Sequence, residues 1–347
     1  MSRDFQSVSQ VAWSVRRDGL LEGPTDNDTD CAHSQLPSVK DYYTELSPVL
    51  VWVIAVSTVA VLSTCAVYVM SLWHVLTRAA PTLKSPTSYV LTIHPVAAVA
   101  SYISVMIPRT YFLMEALVQD LFTICVYQMF CLLAAYYEQE GVSRKLRGAC
   151  IRLSTGPCCC LPCCRRLCTP VPLTRSAMMK LRILVLQLPV VLWVLYGVCY
   201  VLWAEDEKLL DAAQPFLVPL QVGSVLLAGW GTNMAAHVLS EALGGVRATH
   251  KFLALELTVL LPEVQSLLAH RVAGLFPCTV PFTPLFWSNM VVNVLTLLEV
   301  FALSLWARSL YCHQELGFHR MREEEEAGED AEHCQEMVDV SNARGLR

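Results

Sequence analysis

Charge is what this sequence has least of. Asp, Glu, Lys and Arg make up 16% of its 347 residues and hydrophobic side chains 54%, whereas an average soluble domain carries about 25% charged residues. That shortage excludes an ordinary soluble fold. Other absences narrow the class further. No P-loop, HExxH or GxSxG motif occurs, so neither an ATP-driven pump nor a hydrolase of those types has a sequence basis, and no enzyme, metal or cofactor is expected. No basic, aromatic-laced stretch points to nucleic acid. No internal repeat is clear enough for an inverted-repeat carrier. The segment from Met1 to Leu46 is polar, so it offers no secretory signal peptide and the first apolar helix is expected to start membrane insertion itself.

What is present is a set of long apolar runs. A helix needs about 20 residues, at ~1.5 Å each, to cross ~30 Å of hydrocarbon, and seven segments of that size can be drawn: Pro48 to Leu72, Tyr89 to Ile107, Tyr111 to Tyr137, Ile183 to Trp203, Pro215 to His237, Phe252 to Phe276 and Leu285 to Trp306. Their continuous apolarity differs from the alternation of a barrel strand. The expected fold is therefore an all-α membrane protein with seven transmembrane helices. It divides into an N-terminal segment (1–47), a helical domain (48–310) with a Cys-rich loop (138–180), and an acidic tail (311–347) whose Arg322 to Glu336 stretch reads as solvated chain. Seventeen of the 25 Lys and Arg fall in the loops after helices one, three and five and in the tail. The positive-inside rule then places the N-terminus outside and the C-terminus in the cytosol. The single Asn-x-Ser/Thr sequon, at Asn27, lies in the segment so placed outside and is a candidate N-glycosylation site.

Topology sorts the fifteen cysteines. Cys31 and Cys278 lie in outside segments, where a disulfide between them is expected and two free thiols are the alternative. Cys158, Cys159, Cys160, Cys163, Cys164 and Cys168 crowd the longest inside loop, where thiols stay reduced. Cys160-x-x-Cys163 has zinc-ligand spacing, yet no histidine lies between Cys150 and Lys180 and no second separated pair accompanies it. Mixed with Arg165, Arg166 and Arg175 close to a membrane helix, the cluster fits S-acylation best, with metal binding and unmodified thiols as the other readings.

Ionisable groups at membrane depth are costly and mark function or pairing. Glu115 and Asp120 lie on the third segment. Glu256, Glu263 and His270 recur every seven residues on the sixth, with Arg271 beside them. Asn289, Asn293, Thr296 and Glu299 form a polar arc on the seventh. Interhelical hydrogen bonding accounts for the Asn residues. A solvated pathway or ion pairing accounts for Asp120, Glu263 and Glu299, with Arg109 and Arg271 as the nearest cations.

Seven helices also describe a G-protein-coupled receptor, but the third segment ends AAYYEQEG and the seventh reads Asn293-Val294-Leu295-Thr296, without the motifs expected there. Ile107-Pro108-Arg109 ahead of Glu115, the run TGPCCCLPCCRRL, His250-Lys251-Phe252-Leu253-Ala254-Leu255 and Pro277-Cys278 occur in that order. In these motifs the chain resembles the alpha subunit of the organic solute transporter, over about Leu46 to His319. The resemblance implies facilitated, bidirectional movement of bile acids, conjugated steroids and similar amphipathic anions. It implies a single-span beta subunit as partner and residence, after the endoplasmic reticulum, in the basolateral plasma membrane of epithelia. Trp193, Trp230 and Trp287 are candidates for an apolar groove around steroid rings, and Arg109 or Arg271 for the anionic head. A seven-helix receptor or scaffold without transport is the alternative.

Overall fold

The computed structural model describes residues 36–137, 150–151, 171–205, 207–242, 248–272 and 282–311. Asn27, Cys31, Cys278 and the cysteines from Cys158 to Cys168 lie outside the described residues.

A short helix, α1 (Val39–Thr44), precedes α2 (Pro48–Arg78), α3 (Pro81–Met106), α4 (Tyr111–Tyr137), α5 (Arg175–Glu205), α6 (Glu207–Ala242), α7 (Ala248–Val272) and α8 (Pro284–Tyr311). A two-residue antiparallel ladder, β1 (Cys150–Ile151) with β2 (Val171–Pro172), is the strand pairing among the described residues. Among the described residues six helices, α2 to α6 and α8, are long and apolar enough to cross a membrane. The sixth segment drawn from hydropathy corresponds to α7. It has the length, 25 residues, and carries Lys251, Glu256, Glu263 and Arg271 along an otherwise apolar sequence.

Backbone chemistry sets the helix ends. Ser47 caps α2 by accepting from the Leu50 N–H at 3.3 Å, with Pro48 in the first turn where its missing N–H costs nothing. Pro81 opens α3 in the same way. At the other end of α3, Pro108 pushes Ile107 out of helical geometry to φ −132°, ψ 82°. A single 3-10 turn, Pro108–Thr110, then reverses the chain into α4. Inside α3, Pro95 has no N–H to give to the Leu91 carbonyl. The buried His94 ring supplies Nδ1 to that carbonyl at 3.4 Å instead.

Several helices run well past the apolar segments. α3 starts at Pro81 rather than Tyr89, α5 at Arg175 rather than Ile183, and α6 at Glu207 rather than Pro215. Hydropathy marks hydrocarbon depth, whereas an intrahelical ladder continues into the headgroup region as long as no breaker intervenes. A 31-residue helix such as α2 spans roughly 46 Å, beyond the ~30 Å hydrocarbon core.

α3 is the most enclosed span, with 61% of its apolar window buried, against 28% for α2. It packs against α2, α4 and α7. α2 presents Trp52, Val59, Leu62 and Trp73 outward, the surface that lipid tails cover. Where α2, α3 and α8 meet, Ala60, Ala97 and Ala98 let the backbones approach around Leu297 and Val300. The α5–α6 hairpin is joined by a reciprocal pair, Gln187 Nε2 to the Ser224 carbonyl and Ser224 Oγ to Gln187 Oε1, both at 2.9 Å. At one end of the bundle Tyr42, Leu50, Val105, Phe282, Phe286 and Met290 form a separate core that fastens α1 to α2, α3 and α8.

Candidate functional site

Four helices border a cavity whose largely apolar wall carries two carboxylates and several amides and hydroxyls. It lies between α3, α4, α7 and α8 and encloses about 100 Å³, several times the ~10–15 Å³ one water needs. Ser101 and Ser104 line it from α3, and Glu115 and Gln119 from α4. On α7 the lining positions Thr258, Val259, Pro262, Glu263 and Ser266 follow the three-to-four spacing of one helix face, and α8 adds Asn289, Asn293 and Thr296. The floor between them is aliphatic, with Ala97, Val118 and Val292.

Two carboxamide–carboxylate clasps hold α7 in place beside the cavity. Gln119 Nε2 of α4 donates to Glu263 Oε1 at 2.7 Å. On the far side Gln265 Nε2 donates to Glu299 Oε1 of α8. Each uses a group that lipid cannot solvate, and so fixes the rotation of α7 about its axis. Glu299 Oε2 and Gln265 Oε1 are buried and have no partner among the described residues.

The positions expected from sequence divide accordingly. Glu115, Glu263 and Asn293 come together in the cavity wall. Glu299 sits two turns along α8 from Asn293's neighbour Val292, engaged with Gln265. Asp120 follows Gln119 by one residue, about 100° round the helix, and with Glu115 and Glu263 lies in electrostatic reach of Tyr196 on α5. Arg109 is outside the cavity: it stands in the α3–α4 turn and its Nε donates to the Leu36 carbonyl at 3.1 Å, tying down the segment before α1. Arg271 falls in the last turn of α7. The three tryptophans are dispersed. Trp193 is 58% exposed on the outer face of α5, Trp230 packs against the main core, and Trp287 stacks among Phe282 and Phe286. None of them lines the cavity.

One buried cation escapes the sequence reading. Lys251, in the first turn of α7, is 2% exposed. Its Nζ donates to the Tyr136 hydroxyl at 3.0 Å and lies 4.1 Å from the Tyr311 ring centroid. The ends of α4, α7 and α8 thus converge on one ammonium, twelve residues and ~18 Å of helix from Glu263. A lysine beside an apolar run reads as a loop charge. Only the arrival of two tyrosines from distant helices makes it a core residue.

The chain is thus a set of apolar helices around a carboxylate-bearing cavity, and comparison with known proteins gives its family. The family model for the organic solute transporter Ostalpha matches residues 53–316. The chain belongs to that family. Its matched span contains α3, α4, α7 and α8 and hence the whole cavity wall. Among relatives, it is 22% identical to an organic solute transporter alpha-like protein of Drosophila melanogaster over 79% of this chain and 84% of that one. It is 25% identical to an organic solute transporter subunit alpha of Danio rerio, covering 67% and 72%, and 22% identical to that of Bos taurus, covering 79% and 83%. No solved structure matches. Members of this Ostalpha family are solute transporter subunits rather than an enzyme class, and the apolar helices make this one a multi-pass membrane protein.

Proposed function

We propose that this Ostalpha-family chain moves bile acids, conjugated steroids and similar amphipathic organic anions down their gradients in either direction, together with a single-span beta subunit in the basolateral plasma membrane. The observation that carries the reading is the carboxylate-bearing cavity inside the family-matched bundle, with no energy-coupling motif in the sequence. α7 is the seventh span in this proposal: Glu263 accepts from Gln119 of α4 and Gln265 donates to Glu299 of α8, so lipid does not have to solvate these groups. Glu115, Glu263 and Asn293 belong to the pathway, Asp120 and Glu299 flank it, and Arg109 and Arg271 are the cations offered to the anionic head. Uptake of a labelled taurine-conjugated steroid is expected to rise in cells making this chain with a beta subunit. Absence of any gain, with the chain at the surface, would sink the proposal.

The compartment assignments belong to the same reading: N-terminus outside and C-terminus in the cytosol, a glycan on Asn27, a Cys31–Cys278 disulfide, and thioester-linked acyl chains between Cys158 and Cys168. Peptide mass spectrometry of the protein from cells checks them together. It is expected to show a hydroxylamine-labile mass on the Cys-rich peptide and a Cys31–Cys278 cross-linked peptide. A cysteine run without acyl mass, or free thiols at both outer positions, would overturn the corresponding assignment.

A further inference from the structure

We infer that the cavity between α3, α4, α7 and α8 binds the hydroxyl-bearing face of the solute and leaves its anionic head outside. The inference rests on the proposed transport of amphipathic anions and specifies which part of such a molecule this site takes.

The reason is the balance of hydrogen-bonding groups in the wall. Glu115 and Glu263 bring carboxylates, which only accept when ionised and retain acceptor capacity beyond one or two bonds. Three of the hydroxyls have committed their protons to their own helix: Ser104 to the Ala100 carbonyl at 3.0 Å, Thr258 to Ala254 at 3.0 Å, and Thr296 to Val292 at 2.8 Å. Their oxygens therefore keep capacity only as acceptors. Pro262 adds another, because it has no N–H for the Thr258 carbonyl one turn earlier. Against this stand the hydroxyls of Ser101, Tyr111 and Ser266, which both donate and accept, and one unspent amide donor, Asn289 Nδ2, which is buried and has no partner among the described residues, while Asn293 Nδ2 is already given to the Asn289 carbonyl at 2.8 Å. No Lys, Arg or His is among the described residues of the wall.

An anionic group needs donors and would meet acceptors and two carboxylates here. A hydroxyl donates and accepts at once, so it can give its proton to a carboxylate or threonine oxygen and take the Asn289 amide. An ammonium would satisfy the acceptors but oppose that amide. The aliphatic floor of Ala97, Val118 and Val292 suits the ring carbons between hydroxyls. Sites that bond a hydroxyl discriminate strongly against an analogue lacking it, since their buried groups are then left unpaired.

The test uses taurine-conjugated cholanoates that share one anionic head and carry one, two or three ring hydroxyls. In cells making this chain with a beta subunit, the half-saturating concentration is expected to fall about tenfold from the monohydroxy to the trihydroxy compound. In Glu263→Gln and Asn289→Leu, normalised to surface protein, that ratio should collapse toward one. A second arm needs no transport. A neutral cholane triol, with an alcohol in place of the anionic head, should raise the melting temperature of the purified chain in nanodiscs, and do so less in either variant. An unchanged half-saturating concentration along the ladder overturns the inference, as does a quaternary ammonium that stabilises the chain more than the triol. Absent uptake with triol binding retained would overturn the transport reading and leave the hydroxyl site standing; absent triol binding overturns the site.

Discussion

Lys251→Glu is expected to destabilise the bundle by roughly 3–5 kcal/mol, the range for breaking a buried charge arrangement by altering one member. The ammonium is held by the Tyr136 hydroxyl and the Tyr311 face. A desolvated cation over an aromatic ring gains about 2 kcal/mol or more, because the ring's negative face is not competing with water. A carboxylate in its place meets that same negative face and keeps no donor for Tyr136. Lys251→Arg retains the cation and should lose far less, and Lys251→Met, which fits the volume, should fall between. Thermal unfolding of purified protein by tryptophan fluorescence reads the series, with a drop of roughly 10 °C expected for the Glu variant. A Glu variant melting with the wild type would mean that the Lys251–tyrosine contact holds nothing together.

Phe286→Ala is expected to cost about 3 kcal/mol at the opposite end of the bundle. Its ring is 1% exposed and lies 4.9 Å from Phe282, 5.3 Å from Trp287 and 5.8 Å from Tyr42 by centroid. Lipid tails dissolve an exposed phenyl ring about as well as the protein core does. The loss therefore comes from the cavity left behind and the contacts forfeited, not from transfer to water. Because Tyr42 is the residue through which α1 joins this cluster, hydrogen exchange at Val39–Thr44 should speed up in the variant. Trp193→Ala, on the outer face of α5, should stay within about 0.5 kcal/mol of wild type. Equal losses at the two positions would show that the aromatic cluster adds nothing beyond lipid contact. Burial also pushes the Tyr42 phenol up from 10.0 to about 12. The fold therefore favours the neutral phenol, and the cluster should weaken as pH rises from 10 toward 12, where only the unfolded chain ionises freely.

Some of the site is legible in the sequence. Glu115, Glu263 and Asn293 stand out because lipid makes polar residues conspicuous, and all three line the cavity. Their partners are not. Gln119 and Gln265 are ordinary side chains on helices without a distinct polar face, and nothing local says that each reaches a carboxylate 144 or 34 residues away. Tryptophans misled in the other direction. Aromatic size suggests a steroid groove, yet a helix has an outer face as well, and the rotation of α5 and α6 about their axes decides which residues it presents.

The sequence by itself determined the class of solvent, the place of the long helices, the helix-breaking turn at Ile107-Pro108 and the family. These follow from composition, run length and proline stereochemistry, which act over a few residues or as sums over many. The tertiary structure alone decided that α7 is gripped on both sides by Gln–Glu clasps. It also decided that Lys251 is a core residue between two tyrosines, that Arg109 fastens Leu36 instead of lining the cavity, and that the described cavity wall holds two carboxylates and no cationic side chain. Those outcomes depend on the rotation and crossing of helices far apart in the chain. Rotation is fixed only when all neighbouring side chains pack at once.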